Sequence, residues 1–177
     1  MTAGSKWVVD PGHSEVRFKV RHLGIANVTG RFKVFEGELL CGRDGWDGSE
    51  VRVTLNPASI DSNNAQRDGH LVSADFLDAE NYPAISFRGL VSEAGDFFVV
   101  DGELEIRGVR RKVRFAAEET GVGTGRFGDK RAGFEVRGKI NRKDFGLHWN
   151  ILAEGGGLVV GEEIGLQFDI ELVQAKG

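Results

Sequence analysis

Between residues 14 and 22, Val16, Phe18 and Val20 alternate with Glu15, Arg17, Lys19 and Arg21. A period of two places the apolar side chains on one face of a β-strand and the charges on the other. Residues 164–172 show the same pattern, with Ile164, Leu166, Phe168, Ile170 and Leu172 inward and Gln167, Asp169 and Glu171 outward. Further runs at 51–55, 85–91, 97–106, 112–116 and 132–140 each have one apolar face. In the run at 30–40 the parity switches, from Phe32 and Val34 to Phe35, Gly37 and Leu39. That switch predicts a bulge near Val34 and Phe35. Residues 23–28 read as a loop, 121–130 as a glycine-rich loop, and 152–158, with three successive glycines, as a mobile connection. About eight strands joined by hairpin turns are antiparallel neighbours, and they close best as a barrel, which removes exposed edges.

One stretch breaks the alternation. Residues 62–87 read SNNAQRDGHLVSADFLDAENYPAISF, and Leu71, Phe76, Leu77 and Tyr82 follow no period of two. The residues around Ser73 predict the start of a short helical turn, with Ser73 as its cap. Pro83 ends it, and Ile85 and Phe87 resume the alternation. Long excursions between strands often carry function. In a barrel such a segment serves equally as a stabilising plug or as a lid.

Composition narrows the picture. A chain of 177 residues is one domain with room for a sizeable core. The net charge of −4 is mixed in sign along the chain, which argues against sequence-independent nucleic-acid binding. No apolar run approaches the ~20 residues of a membrane span. The single Cys41 excludes an internal disulfide and fits a reducing compartment. Residues 1–14 contain one lysine and no apolar core, so no secretory signal is expected and the expected location is cytoplasmic. Glycine is abundant, 26 residues against 3 prolines, as hairpins, bulges and barrel corners require.

An eight-stranded barrel is either filled by its side chains or holds one small ligand. Of the 12 phenylalanines, most fall at inward parity. Flat apolar walls with gaps at Gly102 and Gly138 suit an elongated apolar ligand, and they suit dense packing equally.

Catalytic signals are sparse. His13, His22, His70 and His148 are dispersed and lack metal-site spacing, so no metal is expected. Ser14 beside His13, and Ser73 three residues after His70, do not make a triad. The glycine-rich loop lacks a phosphate-loop Lys-Ser/Thr pair. No catalytic residue and no cofactor is assigned.

An ordered set of motifs covers the chain from Trp7 to Leu172. It opens with Trp7-x-x-Asp10-Pro-x-His13-Ser14-x-Val16-x-Phe18, followed by His22, Gly30-x-Phe32 and Gly37. The centre has Arg67-Asp68-x-His70-Leu71, Asp75-Phe76 and Tyr82-Pro83-x-Ile85-x-Phe87. Gly102-x-Leu104-x-Ile106-x-Gly108-Val109, Asn141-Arg142-x-Asp144-Phe145-Gly146 and Gly161-x-x-Ile164 complete it. The set resembles the YceI-like family, lipocalin-like polyisoprenoid-binding proteins of bacteria. The resemblance implies an all-β fold: an extended eight-stranded antiparallel barrel over residues 7–173, with a short helical excursion between strands. It implies binding of a polyprenyl phosphate or an isoprenoid quinone, without catalysis. Many members carry a secretion signal, which residues 1–14 do not resemble.

On that reading the tail would lie against Phe18, Val20, Phe32, Phe76, Phe87, Leu104, Phe134, Val136 and Phe145. Each of these is equally an ordinary core residue. Arg67, His70, Asn141 and Arg142 are the candidates for the head group, with either arginine able to pair with a phosphate. The competing reading ties the excursion to the barrel through Arg67, Asp68 and Arg142. Two other functions stand beside the carrier. One is an enzyme on a small apolar or isoprenoid substrate, with His70 and Asp68, or His148, as acid–base groups. The other is a stress-related structural protein with a filled core. A homodimer that covers a strand edge is compatible with each.

Overall fold

The computed structural model describes residues 3–42, 45–150 and 159–176. Eleven strand segments and one α-helix lie among the described residues. β1 (Lys6–Val9) and β2 (Glu15–His22) run in succession along β11 (Val160–Gln174), with Val9 opposite Leu172 and Glu15 opposite Asp169. β3 (Ala26–Phe32) and β4 (Phe35–Leu40) lie beside them as a second interrupted strand. β5 (Glu50–Leu55) and β6 (Ile60–Asp61) make a third, joined through a 3-10 turn at Pro57–Ser59. β7 (Ile85–Ala94), β8 (Phe97–Ile106), β9 (Val109–Thr124) and β10 (Lys130–Asn141) follow, each antiparallel to the one before. β11 pairs with β10 on one side and with β1 and β2 on the other, which closes the ring. The result is a closed eight-stranded antiparallel barrel. No helix among the described residues is long and apolar enough to cross a membrane.

The expected bulge at Val34 and Phe35 is a break between β3 and β4. Ser59 fills it: its Oγ accepts from the Val34 N–H at 3.0 Å and its carbonyl from the Lys33 N–H at 3.1 Å. Val34 turns outward, 57% exposed, and the alternation restarts in the other parity at Phe35. Two stretches expected as loops are partly strand. β3 already begins at Ala26, because the β2–β3 turn needs only a few residues. β9 runs on to Thr124, with Gly121 opposite Gly133 and a register shift between Gly133 and Phe134. Glycine at 121, with φ of +155°, lets the backbone absorb that shift. Residues 152–158 lie outside the described residues.

The excursion corrects the expectation most. Its helix, α1 (Ala65–Val72), precedes Ser73 instead of starting there. Asn64 is the true N-cap, its side chain accepting from the Arg67 N–H at 2.9 Å. Ser73 ends the helix: its Oγ donates to the His70 carbonyl at 2.7 Å. Gly69 lies within α1, and a Cβ there would meet nothing within 4 Å. Gly69→Ala is therefore expected to stabilise α1 by about 0.5–1 kcal/mol. Slower amide exchange over residues 65–72 would show it, and no change would mean that α1 opens only with the barrel.

The two ends of the barrel differ. At one end Trp46, from the β4–β5 turn, packs edge-on against Trp7 at 5.2 Å and Phe134 at 5.1 Å between ring centroids. All three are buried, and they close that end. The other end carries the β2–β3 and β8–β9 turns, the excursion, and the segment after β10.

Candidate functional site

The barrel interior is hollow. Inward side chains from all eight long strands, with Leu71, Phe76 and Leu77 of the excursion, surround a cavity of about 290 Å³. That is close to the lower bound of ligand pockets, roughly 300–1,000 Å³. Phe18, Val20, Phe32, Phe76, Phe87, Leu104, Phe134 and Val136 all line it. Phe145 does not. It ends the 3-10 turn Arg142–Phe145 and is 1% exposed within the packed wall, so it is core and not lining.

The glycine gaps explain why the interior stays open. A Cβ on Gly30 would fall 2.3 Å from the Phe18 ring, on Gly102 2.5 Å from the Phe87 ring, and on Gly138 2.4 Å from the Phe115 ring. Each phenyl ring lies over a glycine of the adjacent strand, flat against the wall. Large apolar area is thus spread along the barrel without filling its centre.

At the mouth, the excursion is fastened by its own polar residues. Arg67 donates from Nε to the Ser62 hydroxyl and from Nη2 to the Ser62 carbonyl, both at 2.7 Å. The Asp68 carboxylate accepts from the Ser62 N–H at 2.9 Å and from its hydroxyl. Asp68 is therefore engaged with Ser62, and the carboxylate beside His70 is Asp75, 2.9 Å from Nε2. The His70 ring packs edge-on against Trp149 at 4.3 Å and Phe76 at 5.2 Å between centroids. Trp149 and Phe76 are themselves 5.2 Å apart. His148 is exposed.

Asn141 caps the 3-10 turn, accepting from the Lys143 N–H at 2.9 Å. Arg142, next to it, is 2% exposed. Its guanidinium donates to four carbonyls: Gly161 at 2.8 Å, Leu147 at 2.5 Å, Trp149 at 2.9 Å and Val160 at 3.3 Å. Burial pushes its pKa down, while the charge of Glu162 opposes the shift. No carboxylate lies within ion-pair distance of it among the described residues, and the residue borders the cavity. Of the head-group candidates, the fold joins His70 and Arg142, since the Trp149 carbonyl accepts from Arg142 while its ring packs on His70. Arg67 and Asn141 hold local turns. Trp149 and Asp75 were not candidates. Asp75 stands in the central motif and Trp149 just beyond the Asn141–Gly146 motif, and the two segments lie far apart in sequence.

Asp10, His13 and Glu171 bring three ligand-type atoms within 4.8 Å of one another in the break between β1 and β2. The His13 hydrogen bond holds the Asp10 carboxyl below its ordinary value of 3.8, with burial opposing. Arg131 pairs with both Asp10 and Glu171. Together these residues are an ion-pair network across the strand break.

Known proteins share this architecture. The chain is 39% identical to protein YceI of Escherichia coli O17:K52:H18 over 165 residues, 93% of this chain and 83% of that one. The structure of Burkholderia cenocepacia BcnA matches with a TM-score of 0.77 at 20% identity, covering 92% of this chain and 98% of BcnA. A polyisoprenoid binding domain from Saccharophagus degradans matches with a TM-score of 0.70 at 13% identity, covering 96% and 98%. These two likenesses carry the barrel itself. The YceI-like domain matches residues 7–172, from the tryptophan that closes one end to the last inward residue but one of β11. With that match and the identity to the enterobacterial protein, the chain belongs to the YceI-like family.

Proposed function

We propose that this protein binds and carries a long apolar isoprenoid, a polyprenyl phosphate or a quinone with an isoprenoid tail, inside the barrel and without chemical turnover. The observation that carries this reading is the apolar cavity, closed at the Trp7–Trp46 end and bordered by the excursion at the other. Burial gains about 0.8 kcal/mol per CH₂, so one five-carbon unit gains about 4 kcal/mol gross. A few units suffice for tight binding after ordering costs. The head group lies at the mouth. There the Arg142 guanidinium supplies a fixed positive charge and the His70–Phe76–Trp149 cluster an aromatic rim. The Saccharophagus degradans domain, a polyisoprenoid binding domain of the same fold, supports this reading.

Catalysis has less support. Asp68 is engaged with Ser62, and the cavity walls present no convergent acid–base set among the described residues. Native mass spectrometry of the purified protein, followed by solvent extraction, tests the proposal. The expected result is a stoichiometric prenyl lipid or quinone, or uptake of one when it is added. Protein that arrives empty and takes up neither would refute it.

A further inference from the structure

Two of the apolar side chains left in water sit together in one turn. At the mouth end, Leu23 and Ile25 form the tip of the β2–β3 hairpin, 42% and 81% exposed. Leu23 and Gly24 both have positive φ, +52° and +72°, and the Ile25 N–H donates to the His22 carbonyl at 3.1 Å. This is a type I′ turn, whose first central position favours Asn or Gly and disfavours a bulky residue. The other non-glycine residues with positive φ among those described are Asn63, Asp78 and Arg107, all polar. An apolar residue is thus held here against both solvation and backbone preference.

The tip is also part of the rim. His22 lies opposite Val160, which lines the cavity, and the Leu23 N–H donates to the Val159 carbonyl at 2.9 Å. Charge is graded along the same wall. Farther from the tip, Arg17 pairs with Asp169 and Arg31 with Asp61. Nearer to it, Lys19 and Arg21 are exposed, face Thr29 and Asn27 across the ladder, and have no ion-pair partner among the described residues.

We propose that this tip docks the barrel mouth onto an anionic lipid bilayer, Leu23 and Ile25 entering the interface and Lys19 and Arg21 meeting lipid phosphates. Apolar insertion backed by unpaired cations is the chemistry of interfacial binding. The proposal rests on the isoprenoid reading for its purpose, since a cargo insoluble in water is loaded from and returned to a membrane. The docking itself needs no cargo.

The test is co-sedimentation of the full chain with vesicles of phosphatidylcholine containing one third phosphatidylglycerol. The wild type is expected to bind them, more weakly as salt rises and more weakly to pure phosphatidylcholine. The double variant Leu23→Asn with Ile25→Ser suits the turn better and removes the apolar tip. It is expected to fold normally and to lose vesicle affinity about tenfold or more. Phe127, 86% exposed on the β9–β10 turn at the closed end, provides the control, and Phe127→Ser is expected to bind as wild type. Absence of wild-type binding, equal binding to both vesicle types, or an equal loss with Phe127→Ser would overturn the proposal. Uptake of a detergent-dispersed polyprenyl phosphate is measured in parallel. Failure there, with vesicle binding intact, counts against the cargo and leaves the docking surface standing.

Discussion

Replacing Arg142 by methionine is expected to lower the stability of the barrel by about 3 kcal/mol, which a urea-unfolding midpoint would register. The loss comes from the acceptors left behind. Methionine keeps much of the side-chain volume, so cavity formation is a minor term. The carbonyls of Leu147, Trp149 and Gly161 would each lose their Arg142 donor in a site from which water is largely excluded, while that of Val160 keeps the Asn150 side-chain amide. Unsatisfied buried acceptors cost about 1–3 kcal/mol each, reduced where local opening readmits water. Arg142→Lys keeps the charge but not the planar fork, so an intermediate loss is expected. If Arg142→Met costs less than about 1 kcal/mol, these hydrogen bonds do not hold the mouth together. Because the Trp149 carbonyl is one of the acceptors and its ring packs on His70, the methionine variant should also loosen the aromatic rim. Quenching of Trp149 fluorescence by a soluble quencher would then increase.

Arg142 also shows where the sequence is opaque. A cation in a polar motif reads as a surface group, and pattern alone does not distinguish a buried guanidinium held by carbonyls from one awaiting a phosphate. The strands were legible because each buries one face: β2, β10 and β11 follow the alternation almost residue by residue. α1 was displaced because it contains no fully buried residue and so leaves no apolar stripe. Its start is fixed by Asn64 and by Ser62 bonding to Asp68 and Arg67, interactions of small polar groups that resemble any loop in sequence. The cavity lining was legible for the same reason as the strands, since inward parity is all that lining requires. Phe145 was misplaced because it follows no period: it sits in a 3-10 turn, where parity has no meaning. The plug at Trp46 depends on contacts with strands far along the chain, and nothing local announces them.

The second large effect is expected at Gly138, and it tests whether a ligand tail occupies the barrel centre. Gly138 lies opposite Phe115, and a Cβ there would fall 2.4 Å from the ring. Phe115 cannot retreat sideways, because Phe87 and Phe168 pack against it at 5.3 and 5.7 Å between centroids. Gly138→Val therefore drives the ring away from the wall and into the lumen, where the present cavity is about 290 Å³. Overpacking of this kind costs about 1–3 kcal/mol of stability. If the centre of the barrel accommodates a tail, the displaced ring takes up the space of part of one prenyl unit. A long-tailed ligand should then bind at least ~10-fold more weakly, equivalent to about 1.4 kcal/mol, and a shorter one should be affected less. The dependence on tail length is the informative part, because a variant that is merely unstable weakens all ligands alike. Titration of the wild type and Gly138→Val with prenyl phosphates of increasing length reads it directly. An equal loss at every length would assign Phe115 to the core alone and move the ligand out of the barrel centre. A loss that grows with length would place the tail along the phenyl-over-glycine wall, the feature of this chain that keeps large aromatic residues and an open interior together.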